Sequence, residues 1–291
     1  MHVMAQRGPT YHLHGVQKWW PTSRIMPFSV DREEGGVAIV TLSPGTSRNT
    51  FNPANFNPLV EALEGLMDDP SCRSVVITGS GGFFSAGGPI DEFADAIDDG
   101  TIGQVTSEMT GTLHPLILKI RGSETIFIAA INGAAAGGGL GLALSADYRV
   151  CSEKAKLAAA FFALGLSPDG GTTWLLPRLV GVQEAKKFFF ENQVWSAGTS
   201  LEKGAVDEVV SHGELIQRSV EIAKKWGRWS ANSRRSSKQL LDASTSTFFE
   251  TQLEFERALM IASSMTPHFA EGVSAFLEKR EPVFSELYEE E

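Results

Sequence analysis

The sequence predicts an α/β fold followed by a helical region. Short apolar runs of strand type at Val37–Leu42, 75–78, Ile126–Ile131 and 148–151 alternate with helix-period patterns. Strand signals thin out after Val209 and Val210, and from about Gly213 the pattern is helical alone. Two stretches of small residues, 84–90 and 130–144, each follow a buried strand closely, and the second is the feature around which the chain is organised.

In chain order, residues 1–26 stand apart. They carry Arg7, Lys18 and Arg24, no acidic residue, a Trp19-Trp20-Pro21 cluster and no periodicity, and are expected to form a poorly ordered extension. Val37–Leu42, bounded by Gly35-Gly36 and Pro44-Gly45, is a strand. Phe56, Leu59, Val60, Leu63, Leu66 and Met67 recur at helical spacing until Pro70. A second strand over 75–78 ends in Gly79-Ser80-Gly81-Gly82. A long helical pattern from Thr101 to Ile120 leads into the strand Ile126–Ile131. Asn132-Gly133 then gives a turn, and the small apolar run after it reads as a buried helix ending before Asp147. Residues 148–151 and 157–160 read as short strands. Pro168, Gly170 and Gly171 mark a loop, and Pro177 limits the helix after it. The segments 248–265 and 269–279 carry apolar residues on one face, among them Phe248, Leu253, Phe255, Leu259 and Phe269.

Composition narrows the function classes. The chain has 291 residues, 42% hydrophobic and 21% charged, enough for a sizeable core. A formal net charge of -10 argues against nucleic-acid or anionic-membrane partners, and no apolar run is long enough to span a bilayer. Cys72 and Cys151 form neither a disulfide framework nor a metal-ligand pattern, and read as buried thiols of a cytoplasmic protein. The six histidines are scattered, and no metal is expected.

Gly137-Gly138-Gly139 opens a helix, where backbone N–H groups lack partners and the helix dipole adds positive charge. Such a place can hold an oxygen that becomes negative during a reaction. Close strand–helix packing selects the same small residues, and this stretch alone leaves both readings open.

With these segments in order, the chain resembles the crotonase superfamily, the enoyl-CoA hydratase/isomerase family. The likeness runs from about Pro27 to the C-terminus. It rests on Phe84-Ser85-Ala86-Gly87-Gly88, on Asn132-Gly133 through Gly139, and on Leu164-Gly165-Leu166 to Leu176-Pro177-Arg178. The ending, Glu271-Gly272 through Arg280, is a fourth motif. The resemblance implies a spiral of ββα turns, with an acyl-CoA-binding core over 27–212. It implies a helical region over 213–291 that builds a homotrimer or a dimer of trimers and part of the coenzyme A site. An acyl-CoA thioester is the implied substrate. No cofactor is implied, since coenzyme A is part of that substrate.

By motif match, the backbone N–H groups of Gly88 and Gly138 would grip the thioester oxygen. Ala86 and Ile90 match positions lining the coenzyme A adenine site, with Ser47 a looser match. Lys279 and Arg280 match a basic pair that approaches coenzyme A phosphates, though a solvated helix face explains them equally well. Pro89 stands where many relatives have an aspartate.

The two glutamates that activate water in the family's hydratases are missing: Gly141 and Phe161 stand at those positions. One carboxylate remains in the motif region, Asp169, where family isomerases keep an acid. It is expected to be the base that moves a proton between two carbons of the acyl chain, as a double-bond shift requires. Direct return of that proton by the same carboxylate would admit solvent deuterium only partly. The alternatives are an N-cap role for Asp169, or its use as a nucleophile, as in the family's aroyl-CoA dehalogenases, with Phe161, Phe162 and Trp174 as an aromatic cradle. Hydration or hydrolysis by another base, and a non-catalytic acyl-CoA-binding protein, also remain open.

Overall fold

The computed structural model describes residues 27–42 and 48–284. Ser47 and the extension 1–26 lie outside the described residues. The chain opens with the strand pair β1 (Phe28–Glu33) and β2 (Val37–Leu42), then α1 (Pro53–Met67), β3 (Ser74–Gly79) and β4 (Phe83–Ser85). Helices α2 (Ile90–Asp98) and α3 (Ile102–Gly122) follow, then β5 (Ile126–Ile131), β6 (Ala134–Ala136), α4 (Gly138–Ser145), β7 (Tyr148–Ser152) and β8 (Lys156–Ala158). A 3-10 turn at Phe162–Leu164 precedes α5 (Thr172–Val180), α6 (Val182–Phe190), β9 (Val194–Ser196), α7 (Ala197–Glu202) and β10 (Glu208–Val210). The last helices are α8 (Leu215–Gly227), α9 (Ala231–Ser244), α10 (Phe249–Ser264) and α11 (Pro267–Glu278).

From β3 to β8, successive strands alternate between two sheets. One sheet has the order β1-β2-β3-β5-β7-β10, and the other β4-β6-β8-β9. The pairs β3/β4, β5/β6 and β7/β8 therefore each give one strand to either sheet before the chain moves on, which makes the path a spiral of ββα turns. All pairings are parallel except β1 with β2 and β8 with β9.

Burial on both faces explains why the central strands are continuously apolar. In β5, Phe127, Ala129 and Ile131 face the main core, while Ile126, Ile128 and Ala130 face a second cluster. Leu215, Ile222 and Ala223 of α8 complete that second cluster. The first helix after Gly213 thus lies on the sheet itself.

Three features differ from the sequence reading. Strand β1 gave no apolar signal because it is an edge strand with mostly exposed side chains. Residues Ala134–Ala136, expected as the start of a helix, form β6, because strand pairing with β4 and β8 outweighs the helix preference of alanine. The helix α5 runs through Pro177 to Val180, since only the amide of residue 177 is lost to its ladder.

Helix α9 is anchored by a largely buried ion pair. Lys238 Nζ donates to Asp147 at 3.0 Å and to the carbonyls of Ile120 (2.8 Å) and Thr125 (3.0 Å). Asp147 also accepts the Phe127 amide at 2.8 Å. Burial pushes the Asp147 carboxyl up and the Lys238 ammonium down, each partly offset by the other's charge. Lys238→Met should strand the Asp147 carboxylate and lower unfolding free energy by about 3–5 kcal/mol in urea denaturation. The thiols of Cys72 and Cys151 are buried, and burial pushes them up to about 11 and about 12. Native protein at pH 8 should leave both unlabelled by a thiol reagent that reacts fully in denaturant.

Candidate active site

Strands β4 and β6 run parallel, pairing Phe83 with Ala134 and Ser85 with Ala135, so both small-residue stretches leave the sheet side by side. Two asparagines fix the approach to them. Asn49 donates to the carbonyls of Phe83 (2.7 Å) and Phe84 (3.1 Å), and Asn132 donates to Gly81 and Phe83 (3.1 Å each). Asn132 also accepts the Gly79 amide at 2.9 Å. Ser85 Oγ donates to the Asn49 carbonyl at 2.7 Å and accepts the Gly87 amide at 3.1 Å.

Beyond β4 and β6, backbone meets backbone. A Cβ on Gly87 would lie 2.8 Å from the Gly138 nitrogen and 2.9 Å from the Ala136 oxygen. Gly137 turns the chain into α4 with φ 53 and ψ -130, a conformation that effectively only glycine adopts. The amides of Gly88 and Gly138 have no acceptor among the described residues. Their surroundings are apolar: Phe93 and Met109 beside Gly88, Leu113 and Phe51 beside Gly138. Fixed N–H donors in such surroundings act on a charged oxygen with little screening.

The loop bearing Asp169 is pressed onto the same place. A Cβ on Gly170 would lie 3.3 Å from Gly141 Cα and 3.6 Å from Gly138 Cα, and one on Gly141 only 2.3 Å from the Gly170 oxygen. Close packing and exposed amides, which the sequence left as alternatives for the glycine stretch, thus occur together. The absence of a side chain at 141 is what lets the Asp169 loop settle there.

Asp169 is not an N-cap. Helix α5 is capped by Gly171 without a side-chain bond, and Asp169 serves it only through its main-chain carbonyl, which accepts from Thr172 N (3.2 Å) and Oγ1 (2.8 Å). The carboxylate instead bonds His114 Nε2 through Oδ1. His114 lies on α3, one residue after Leu113 and just before Pro115. Sequence reasoning missed it, because its partner is 55 residues away and no local spacing links the two. The one available signal was a histidine directly after Leu113 within the long helical pattern.

The remaining named residues are dispersed. Ala86 is half-buried, its amide bonded to the Arg48 carbonyl at 3.0 Å, and Ile90 is exposed at the start of α2. Phe161 is packed into the main core, and its neighbour Phe162 is the exposed ring, meeting Phe190 edge-on. Trp174 is engaged elsewhere: the Arg178 guanidinium lies 3.5 Å from its ring centre and Arg121 at 5.2 Å. Trp174 itself stays partly exposed, at 37%. Arg280 at the end of α11 forms ion pairs with Glu271 (2.6 and 2.9 Å) and Glu278 (2.7 Å). Its bonds, with an added one from the Val283 amide, hold the Glu271 carboxyl down at about 2. Lys279 beside it is exposed, with its backbone in the left-handed region. Among the described residues no group of three or more His, Cys, Asp or Glu side chains is arranged to hold a metal ion, and no described helix is long and apolar enough to cross a membrane.

A family model for enoyl-CoA hydratase/isomerase matches residues 32–287. The chain belongs to this family, the crotonase superfamily. Family members with different activities resemble it to similar degrees. The 1,2-epoxyphenylacetyl-CoA isomerase of Escherichia coli K12 is 31% identical over 261 residues, 90% of this chain and 99% of that protein. The 4-chlorobenzoyl coenzyme A dehalogenase-2 of an Arthrobacter species is 30% identical over 247 residues, 84% and 88%. The crystal structure of an enoyl-CoA hydratase from Polaromonas sp. JS666 is 32% identical, with a TM-score of 0.81 over 88% of this chain and 98% of that one. The family acts on acyl-CoA thioesters, and its membership fixes the fold and the general chemistry without choosing among these reactions.

Gly141→Ala tests the packing. Its Cβ would force the Gly170 carbonyl away, so unfolding free energy should fall by about 1–3 kcal/mol. Turnover should fall further than that loss accounts for, because Asp169 moves with the loop. Denaturant titration and steady-state kinetics on the same preparation read both.

Proposed function

We propose that the protein is an acyl-CoA isomerase that shifts a double bond within the acyl chain, of the enoyl-CoA Δ3-Δ2 or epoxide/oxepin-CoA type. The carrying observation is the Asp169 carboxylate. It is free of the helix cap, paired with His114, and one residue from Gly170, which is packed beside Gly138. In this reading Asp169 removes a proton from the carbon next to the thioester. Charge moves onto the thioester oxygen, held by the amides of Gly88 and Gly138, and a proton is delivered to a carbon further along. Loss of one such donor typically costs about 3–4 kcal/mol of transition-state stabilisation.

Hydration of the usual kind is disfavoured because Gly141 and Phe161 supply no carboxylate, and Gly170 occupies the space beside Gly141. Asp169→Asn should reduce isomerisation of a 3-enoyl-CoA by roughly 10²–10⁴-fold, with acyl-CoA affinity kept, as measured by calorimetry and a spectrophotometric assay. Undiminished turnover in that variant contradicts the assignment.

The His114 contact also favours a second reading, in which Asp169 attacks an aryl carbon, expels halide, and His114 deprotonates the water that cleaves the resulting ester. The Arthrobacter relative motivates it. Halide release from 4-chlorobenzoyl-CoA, with ¹⁸O from solvent appearing in Asp169, would select it over isomerisation.

Assembly as a homotrimer or dimer of trimers is part of the proposal. Its support is the row of exposed apolar side chains on α10 and α11, including Leu253, Phe255, Met260, Phe269 and Phe276. Sedimentation at micromolar concentration should give a species of three or six chains; a monomer contradicts this.

A further inference from the structure

Asp169 stands at the boundary between the glycine pair and water, and His114 is what continues it outward. The His114 side chain is 51% exposed and that of Asp169 30%. Helix α3 carries both kinds of wall at once. Met109 lies beside Gly88 and Leu113 beside Gly138, while His114, next in line, meets the carboxylate and reaches solvent. A histidine that only braced Asp169 would need one nitrogen. Imidazole has two, so it can accept a proton at one nitrogen while releasing one from the other.

We propose that His114 is a proton relay between Asp169 and solvent, so that the proton added to the product is one from water. This rests on the isomerase reading of the same site. Asp169 takes the carbon-bound proton, and the C–H electron pair stays on the substrate as the thioester enolate. The carboxyl passes its proton to His114 Nε2 as the Nδ1 proton leaves to water. The reverse sequence brings a solvent proton to Asp169, and the enolate's electron pair forms the new C–H bond with it. One proton leaves the substrate and one returns, with no change of oxidation state. His114 does not touch the substrate in this scheme; it acts through Asp169.

The test is the deuterium content of product formed from a 3-enoyl-CoA in D2O, read by mass spectrometry at low conversion. Wild type should incorporate close to one deuterium per product. His114→Gln keeps a hydrogen-bonding side chain but cannot relay, and its product should carry several-fold less deuterium. Exchange of the α-protons of butyryl-CoA, which has no double bond to shift, gives the same readout without isomerisation, and it should fall several-fold in His114→Gln as well. Undeuterated product from wild type, or equal deuterium contents for wild type and His114→Gln, overturns the relay while leaving the isomerase reading standing. Butyryl-CoA exchange that depends on both Asp169 and His114, without isomerisation of any 3-enoyl-CoA, supports the relay and removes the isomerase reading. Matching thermal melting of the two proteins verifies that folding is not the cause, and His114→Asn serves if the glutamine variant melts early.

Discussion

The structure depends on backbone approaching backbone without side chains between. At Gly87 against Gly138, and at Gly141 against Gly170, an added methyl group would come within 2.8 Å and 2.3 Å of main-chain atoms. These contacts hold three segments together: the end of β4, the start of α4 and the loop before α5. Each segment enters from a different turn of the spiral, so the closeness is set by the two sheets and only permitted by the glycines. The asparagine bonds from Asn49 and Asn132 then fix the turn before β4, where regular strand pairing gives out.

The same geometry separates electrostatic tasks. Where α4 begins, its first amides have no helical partners, and side chains of Phe51, Phe93, Met109 and Leu113 surround the two glycines. A developing negative oxygen there would be held by fixed dipoles in place of mobile water. Beside them, α3 presents His114 to Asp169. Any side chain at 141 would require the Gly170 loop to retreat, since a Cβ there would lie 2.3 Å from the Gly170 carbonyl oxygen.

Family membership is compatible with several reactions because the shared part is this backbone frame. Relatives described as an isomerase, a dehalogenase and a hydratase are 30–32% identical to the chain. The reading of Asp169 therefore draws on its released helix cap and its histidine partner more than on likeness.

The sequence by itself determined the α/β class, the central strands and the order of the motifs. Each of these has a periodic or compositional cause within a short window: strands buried on both faces are apolar throughout, and close contacts select glycine. It also set glycine at 141 and phenylalanine at 161, where neither side chain carries a carboxylate. The edge strand β1 left no trace because an exposed edge needs no apolar pattern, and β6 was hidden because alanine fits a helix and a tight strand equally well. Only the tertiary structure decided that Asp169 turns away from its helix toward His114, that Trp174 is covered by Arg178, and that Phe161 is core while Phe162 is surface. Each depends on which element passes alongside, and a partner 55 residues distant is fixed by the path of the spiral, which no local window of sequence contains.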